Sequence, residues 1–230
     1  MITIADVKND EEVKTIMYMA ESQIEALGFT EHSVRHSSIV SKWAGEILEK
    51  IGAEAHRVEL ARIAGYLHDI GNSVNREDHA QSGALLAYHI LTRMGMSYRD
   101  AAEVMMAIGN HDEVYGLPVS DITSALIIAD KADVHKSRVR SNTTRMSMGE
   151  QNIHDRVNLA AERSRVVVEK SYIEVDREKG EIVLNVTIDT EKCSVMDYFE
   201  IYFKRMQLCR RAAEFLGKRF VLLINGVRLI

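Results

Sequence analysis

The stretch Ser33-Val34-Arg35-His36-Ser37-Ser38-Ile39-Val40-Ser41-Lys42-Trp43-Ala44-Gly45-Glu46-Ile47-Leu48-Glu49-Lys50-Ile51 decides how the first two-thirds of this chain is read. Val40, Trp43, Ala44, Ile47, Leu48 and Ile51 form one apolar stripe at helical spacing, and His36 lies one turn before Val40 on the same stripe. The spacing predicts a buried-faced helix that aims an imidazole inward. Working outward, the same period continues to about residue 164. A helix is expected over about Ala55 to Ile70, with Leu60, Ala64 and Leu67 buried, His68 and Asp69 in its last turn and Gly71 ending it. Asp78-His79-Ala80-Gln81 reads as a capping signal for a helix that reaches about Met94, which puts His79 in a first turn. Ser97 and Asp100 open a further helix carrying Ala101, Val104, Met105 and Ile108, with His111 just past its end. After the Gly116-Leu117-Pro118 turn, Ile122, Leu126 and Ala129 mark one more helix, with Asp130 and Asp133 three apart on one side.

From about Arg165 the period changes. Ile182, Leu184, Val186 and Ile188 alternate with Val183, Asn185 and Thr187, as in a strand. Val166 to Val175 is the natural partner, joined through Asp176-Arg177-Glu178-Lys179-Gly180. A long amphipathic helix with Phe199, Tyr202, Phe203, Met206, Cys209, Ala213 and Leu216 on its apolar side follows, then a last strand at Phe220 to Ile224. The fold class is therefore mainly α: a helical bundle over residues 1–160 and a small α+β appendage over 161–230. The change of period near 150–165 is the only sign of the boundary. The appendage offers no charged inward residue, and its Tyr and Phe stripe reads as packing or as a homodimer contact.

Length and composition bound the rest. With 230 residues, 46% of them hydrophobic, the chain can fill one sizeable core. No apolar run nears the roughly 18–20 residues of a spanning helix, and the N-terminus lacks a basic region followed by an apolar stretch, which predicts no membrane contact and a cytoplasmic location. A net charge of −5 argues against general nucleic-acid binding. Cys193 and Cys209 lie far from every histidine cluster and read as reduced thiols rather than ligands.

Among the nine histidines, His32, His56, His89, His135 and His154 have no obvious partners. The other four do. His36, His68, His79 and His111 fall at inward sides or ends of helices, as do the acids Asp69 and Asp130. Six burial-averse groups converging in one bundle need a compensating positive charge, and a metal centre supplies it. Imidazole and carboxylate together suit Mn, Fe, Co, Ni or Zn better than Mg, which prefers oxygen donors and retained waters. Lys131, Lys136, Arg138, Arg140 and Arg145 reverse the local charge beside Asp130. They are read as a phosphate- or substrate-binding group, with Asp133 the one acid among them and Arg35 a weaker candidate.

The order His36, then Leu67-His68-Asp69-Ile70-Gly71, then His79 with Gly83 four later, then Asn110-His111, then Ala129-Asp130-Lys131-Ala132-Asp133 resembles the HD-domain superfamily of metal-dependent phosphohydrolases over about residues 30–140. The resemblance implies His36, His68, Asp69 and Asp130 as ligands of one metal. In two-metal members Asp69 bridges to a second ion completed by His79 and His111, and activates the attacking water. It also implies a small phosphorylated substrate, a nucleotide being the leading class. His79-Ala80-Gln81-Ser82-Gly83 is similar to the second-metal segment of symmetric dinucleoside-tetraphosphate hydrolases and of HD-GYP phosphodiesterases. The paired histidines and Gly-Tyr-Pro motif of the latter are absent after His111. A few di-iron HD proteins use the same ligand set to activate O2, so an oxygenase is the alternative expectation.

Overall fold

The computed structural model describes residues 2–26, 34–134, 168–191 and 195–230. A short helix, α1 (Ile4–Asn9), and a longer one, α2 (Glu11–Ala26), precede α3 (Val34–Ile51) and α4 (Ala55–Leu67). A single 3-10 turn (Ile70–Ser73) separates α4 from α5 (His79–Arg93), which is followed by α6 (Tyr98–Gly109) and α7 (Asp121–Ala132). Strands β1 (Val168–Asp176) and β2 (Glu181–Ile188), helix α8 (Val195–Phe215), and strands β3 (Arg219–Ile224) and β4 (Val227–Arg228) complete the chain. The mainly helical bundle with a C-terminal α+β part is as the change of period predicts. Among the described residues, no helix is long and apolar enough to cross a membrane.

Helix α7 is the axis of the bundle. Every residue from Ile122 to Ala132 is buried, so it is enclosed on all sides rather than along one stripe. Helices α3, α4 and α6 surround it, and α8 and β1 cover the remaining side. Its start is fixed by Ser120, whose hydroxyl accepts from the amide of Thr123 at 3.0 Å, and α6 is capped the same way by Ser97 on Asp100. One continuous apolar cluster runs from Val7 in α1 through Ile127 in α7 to Leu184 and Leu222 in the sheet. The sheet order is β1-β2-β3-β4, with β1–β2 and β3–β4 antiparallel and β2–β3 parallel. A parallel pair needs a crossover, and α8 is that crossover. It buries Tyr198, Tyr202, Met206, Cys209 and Ala213, whereas Phe203, expected inward, is 54% exposed.

Three local expectations fail between α4 and α5. Helix α4 stops at Leu67, so His68 and Asp69 lie in the link to the 3-10 turn rather than inside a helix. Gly71 does not end α4 as a left-handed cap, since it is not among the glycines with positive φ. It is needed for close approach instead: a Cβ there would overlap the carbonyl oxygen of His79 and lie 2.5 Å from the amide nitrogen of Gly83. Asp78 likewise makes no side-chain cap on α5. It adopts φ 55°, ψ 26° to swing the chain from the turn into the helix, and Gln81 donates to the carbonyl of Gly109 at 3.3 Å instead of reaching back.

Candidate metal centre

The crowded contact between the 3-10 turn and α5 draws together what the sequence scatters. His36 comes from the first turn of α3, His68 and Asp69 from the link after α4, and His79 from the first residue of α5. His111 comes from just beyond α6, and Asp130 from the last turn of α7. All six are buried. Their imidazoles form a row, with ring centroids 5.1 Å apart for His36–His68, 5.1 Å for His68–His111 and 5.3 Å for His79–His111. The carboxylates lie along it. Asp130 Oδ1 is 3.3 Å from His36 Nε2 and 3.6 Å from His68 Nε2. Asp69 Oδ2 is 3.2 Å from His68 Nε2 and 3.8 Å from His36 Nε2, while its Oδ1 is 3.4 Å from His79 Nε2.

Each ring is held from behind through its other nitrogen. His68 Nδ1 donates to the carbonyl of Gly65 (2.9 Å), His79 Nδ1 to that of Arg76 (3.1 Å), and His111 Nδ1 to that of Ile108 (2.6 Å). His36 Nδ1 faces Asp133 Oδ2 at 2.7 Å. This leaves the Nε2 atoms of His36, His68 and His79 turned toward the carboxylates, the arrangement that metal-binding histidines adopt when outer groups fix ring and tautomer. The buried Nε2 of His68 lies 3.2 Å from Asp69 Oδ2 and 3.6 Å from Asp130 Oδ1 without a well-aligned hydrogen bond to either, and a cation among them is a partner that all three atoms fit. Two triads have ligand atoms close enough together to hold an ion: His36, His68 and Asp130, and His68, Asp69 and His111. Nitrogen and oxygen donors in these numbers fit a divalent metal.

The field in the site is uneven. Burial disfavours a charged His68, but Asp69 and Asp130 outweigh it and push the imidazole up to about 10. Burial, with His68 and Lys131 nearby, brings His111 down to about 4. Burial and then Arg76 hold His79 well below the ordinary imidazole range. Burial also works against the Asp130 carboxylate, yet Lys131 and the His36 and His68 rings keep it well below the usual carboxylate range. These surroundings favour the charged form of His68 and the neutral forms of His79 and His111 in the metal-free chain.

An ion that takes His68 Nε2 as a ligand displaces the proton of that ring. Titration calorimetry at pH 7, in buffers of different ionisation enthalpy, is expected to show release of about one proton for the ion that His68 binds, with the affinity of that ion rising with pH; uptake without proton release would contradict this. The sign for the metal-free fold is opposite. A raised His68 value stabilises it fully below about pH 6.5, the unfolded imidazole value, and the contribution is lost as pH climbs toward 10.

Two residues expected at the substrate have other partners. Lys131 is 4% exposed, with Nζ 2.7 Å from Asp130 Oδ2 and 3.6 Å from Glu113 Oε1. Asp133, 2% exposed, is the group behind His36. A polar group at such depth needs a partner, and Lys131 is turned to Asp130 and Asp133 to His36. Lys136, Arg138, Arg140 and Arg145 lie outside the described residues. Arg76, Glu113 and Arg205 escaped the sequence reading. Arg76 donates from Nη1 to Asn72 Oδ1 at 3.1 Å and stands 3.9 Å from Asp69 Oδ1; its place three residues before His79 was the available sign. Arg205 Nε lies 2.6 Å from Glu113 Oε1, so the C-terminal part does send a charge inward, contrary to expectation.

The family model for the HD domain matches residues 31–137, a span that contains all six converging side chains. Residues 31–137 of this chain therefore form an HD domain. An uncharacterised protein of Methanocaldococcus jannaschii is 30% identical over 157 residues, covering 58% of this chain and 60% of that one. Ribonuclease Y of Streptococcus sanguinis is 32% identical over 104 residues, 44% of this chain and 17% of that enzyme. Ribonuclease Y of Latilactobacillus sakei is 33% identical over 107 residues, covering 45% of this chain and 18% of that one. The chain thus spans 60% of the first of these relatives and under a fifth of the two ribonucleases. A solved structure described as a predicted HD superfamily hydrolase, from an uncultured Thermotogales bacterium, aligns with a TM-score of 0.43 at 26% identity, over 57% of this chain and 74% of that chain.

Proposed function

We propose that this HD-domain chain is a metal-dependent phosphohydrolase that cleaves a phosphoester of a nucleotide or another small phosphorylated molecule. The observation that carries the reading is the row of four imidazoles, each tied behind at Nδ1, with the Nε2 atoms of His36, His68 and His79 facing the carboxylates of Asp69 and Asp130 and His111 grouped with His68 and Asp69. His36, His68, Asp69 and Asp130 would hold a first ion, and Asp69 with His79 and His111 a second; Mn, Fe, Co, Ni and Zn fit the donor set best. Such ions supply an acidified water and neutralise charge on the phosphoryl oxygens. The chain's own part is positional. Its backbone carbonyls fix the ring tautomers, Lys131 and Asp133 orient Asp130 and His36, and the packed helices exclude bulk water. Phosphate contacts are proposed from Arg138, Arg140 and Arg145, with Arg76 added from its place beside Asp69. The division into a catalytic unit over 1–160 and an appended unit over 161–230 belongs to the same proposal.

The net charge of −5 supports small substrates, while the ribonuclease Y relatives make RNA phosphodiesters worth including. The experiment is a screen of nucleotides, small phosphoesters and short RNA with Mn, Co, Fe, Ni and Zn, run with and without O2. Phosphate release independent of O2 is expected, together with near-stoichiometric metal in protein purified without chelator. Protein that retains no transition metal even after reconstitution would sink the reading, and turnover that requires O2 would replace it with an oxygenase.

A further inference from the structure

The C-terminal helix reaches the metal centre through a relay of buried charges. Arg205 of α8 places Nε 2.6 Å from Glu113 Oε1. The same Glu113 oxygen lies 3.6 Å from Lys131 Nζ, and Lys131 Nζ is 2.7 Å from Asp130 Oδ2. Asp130 turns its other oxygen, Oδ1, to His36 and His68. The side chains of Arg205, Glu113, Lys131 and Asp130 are 14%, 3%, 4% and 10% exposed, so water screens none of these pairs well. Arg205 is steadied by the face of Tyr202, 5.5 Å from the guanidinium to the ring centre.

Two carboxylates here share one lysine. Lys131 can be drawn toward Asp130 or toward Glu113, and a buried carboxylate without a cation is costly enough to compete for it. Arg205 settles the competition by occupying Glu113, so that Lys131 stays at the shorter distance on Asp130 and fixes which oxygen faces the histidines. We propose that Arg205 is a positioning residue for the metal centre, acting through Glu113 and Lys131 on Asp130, and that the C-terminal part is thereby a working component of the site. The inference rests on the metal-binding half of the proposed function and not on hydrolysis.

The test measures metal dissociation constants by competition with a chelator, using Mn and Co, and thermal unfolding beside them. Arg205→Gln is expected to weaken binding about tenfold, the scale of lost outer-shell support. The double variant Glu113→Gln with Arg205→Gln removes both charges together and is expected to return to within about threefold of wild type. A merely structural role for Arg205 would lower the melting temperature and leave the dissociation constant unmoved. Arg205→Lys, which keeps the charge at shorter reach, is expected about threefold weaker than wild type, and it decides the matter if Arg205→Gln does not fold. Unchanged affinity in the single variants, or a double variant no better than Arg205→Gln, overturns the inference. A wild-type chain that binds no metal overturns it along with the proposed function. The expected affinity pattern in a chain that hydrolyses nothing supports the relay and removes only the hydrolase reading.

Discussion

Asp69→Ala is expected to abolish phosphoester hydrolysis at every metal concentration, a loss on the order of a thousandfold or more, whereas His79→Ala and His111→Ala recover part of their activity in excess Mn or Co. The reason lies in how the one carboxylate is spread along the row. Its Oδ2 faces His68 and His36, and its Oδ1 faces His79. Removing it takes negative charge from both ends at once, and no other side chain described here can span them. A lost imidazole vacates one position that water can fill at some cost in affinity, and mass action offsets that cost when metal is raised. A metal titration of activity for the three variants decides the matter: equal rescue of all three would show that Asp69 does not serve both ends.

The second large effect belongs to a residue with no side chain. Gly71→Ala places a methyl group against the carbonyl of His79, 2.5 Å from the amide nitrogen of Gly83 and 2.6 Å from Ser82 Oγ. Two of these neighbours are backbone, so relief requires α5 to move away from the 3-10 turn, taking His79 from Asp69. A cost of about 3 kcal/mol is expected, which for a chain of this size lowers the melting temperature by roughly 6–12 °C. Bound metal should fall with it. Gly83→Ala, where the nearest atoms would be 3.0 and 3.4 Å away, is expected to be milder. Thermal unfolding with elemental analysis reads both, and a Gly71→Ala protein that melts and loads metal like wild type would show that the close approach has no consequence.

The helices were legible because an amphipathic surface writes its period into the chain, and the strands because alternation replaces that period after residue 165. The histidines and Asp130 were legible for a related reason: polar groups placed at inward positions of apolar segments need a partner. What sequence carries poorly is direction. Lys131 and Asp133 were recognised as charged and near the site, but only packing shows them turned toward Asp130 and His36. Asp78 carries the letters of a cap, yet the demand for a sharp turn overrides them. Arg205 was invisible because its partner Glu113 lies far back along the chain, and nothing in an amphipathic helix marks which of its arginines faces a buried carboxylate.

The Nδ1 tethers bear on time as well as on place. A ring whose far nitrogen is bonded to a carbonyl of its own chain segment cannot swing aside alone, for to release an ion from Nε2 by rotation it must first break that bond in a buried setting. Escape of an ion by successive single-ligand steps is therefore slow at each step. An ion held by these rings is expected to exchange on the timescale of local opening of the surrounding helices rather than of side-chain motion, so that loading and removal of metal should both be slow, which time courses of chelator extraction would read.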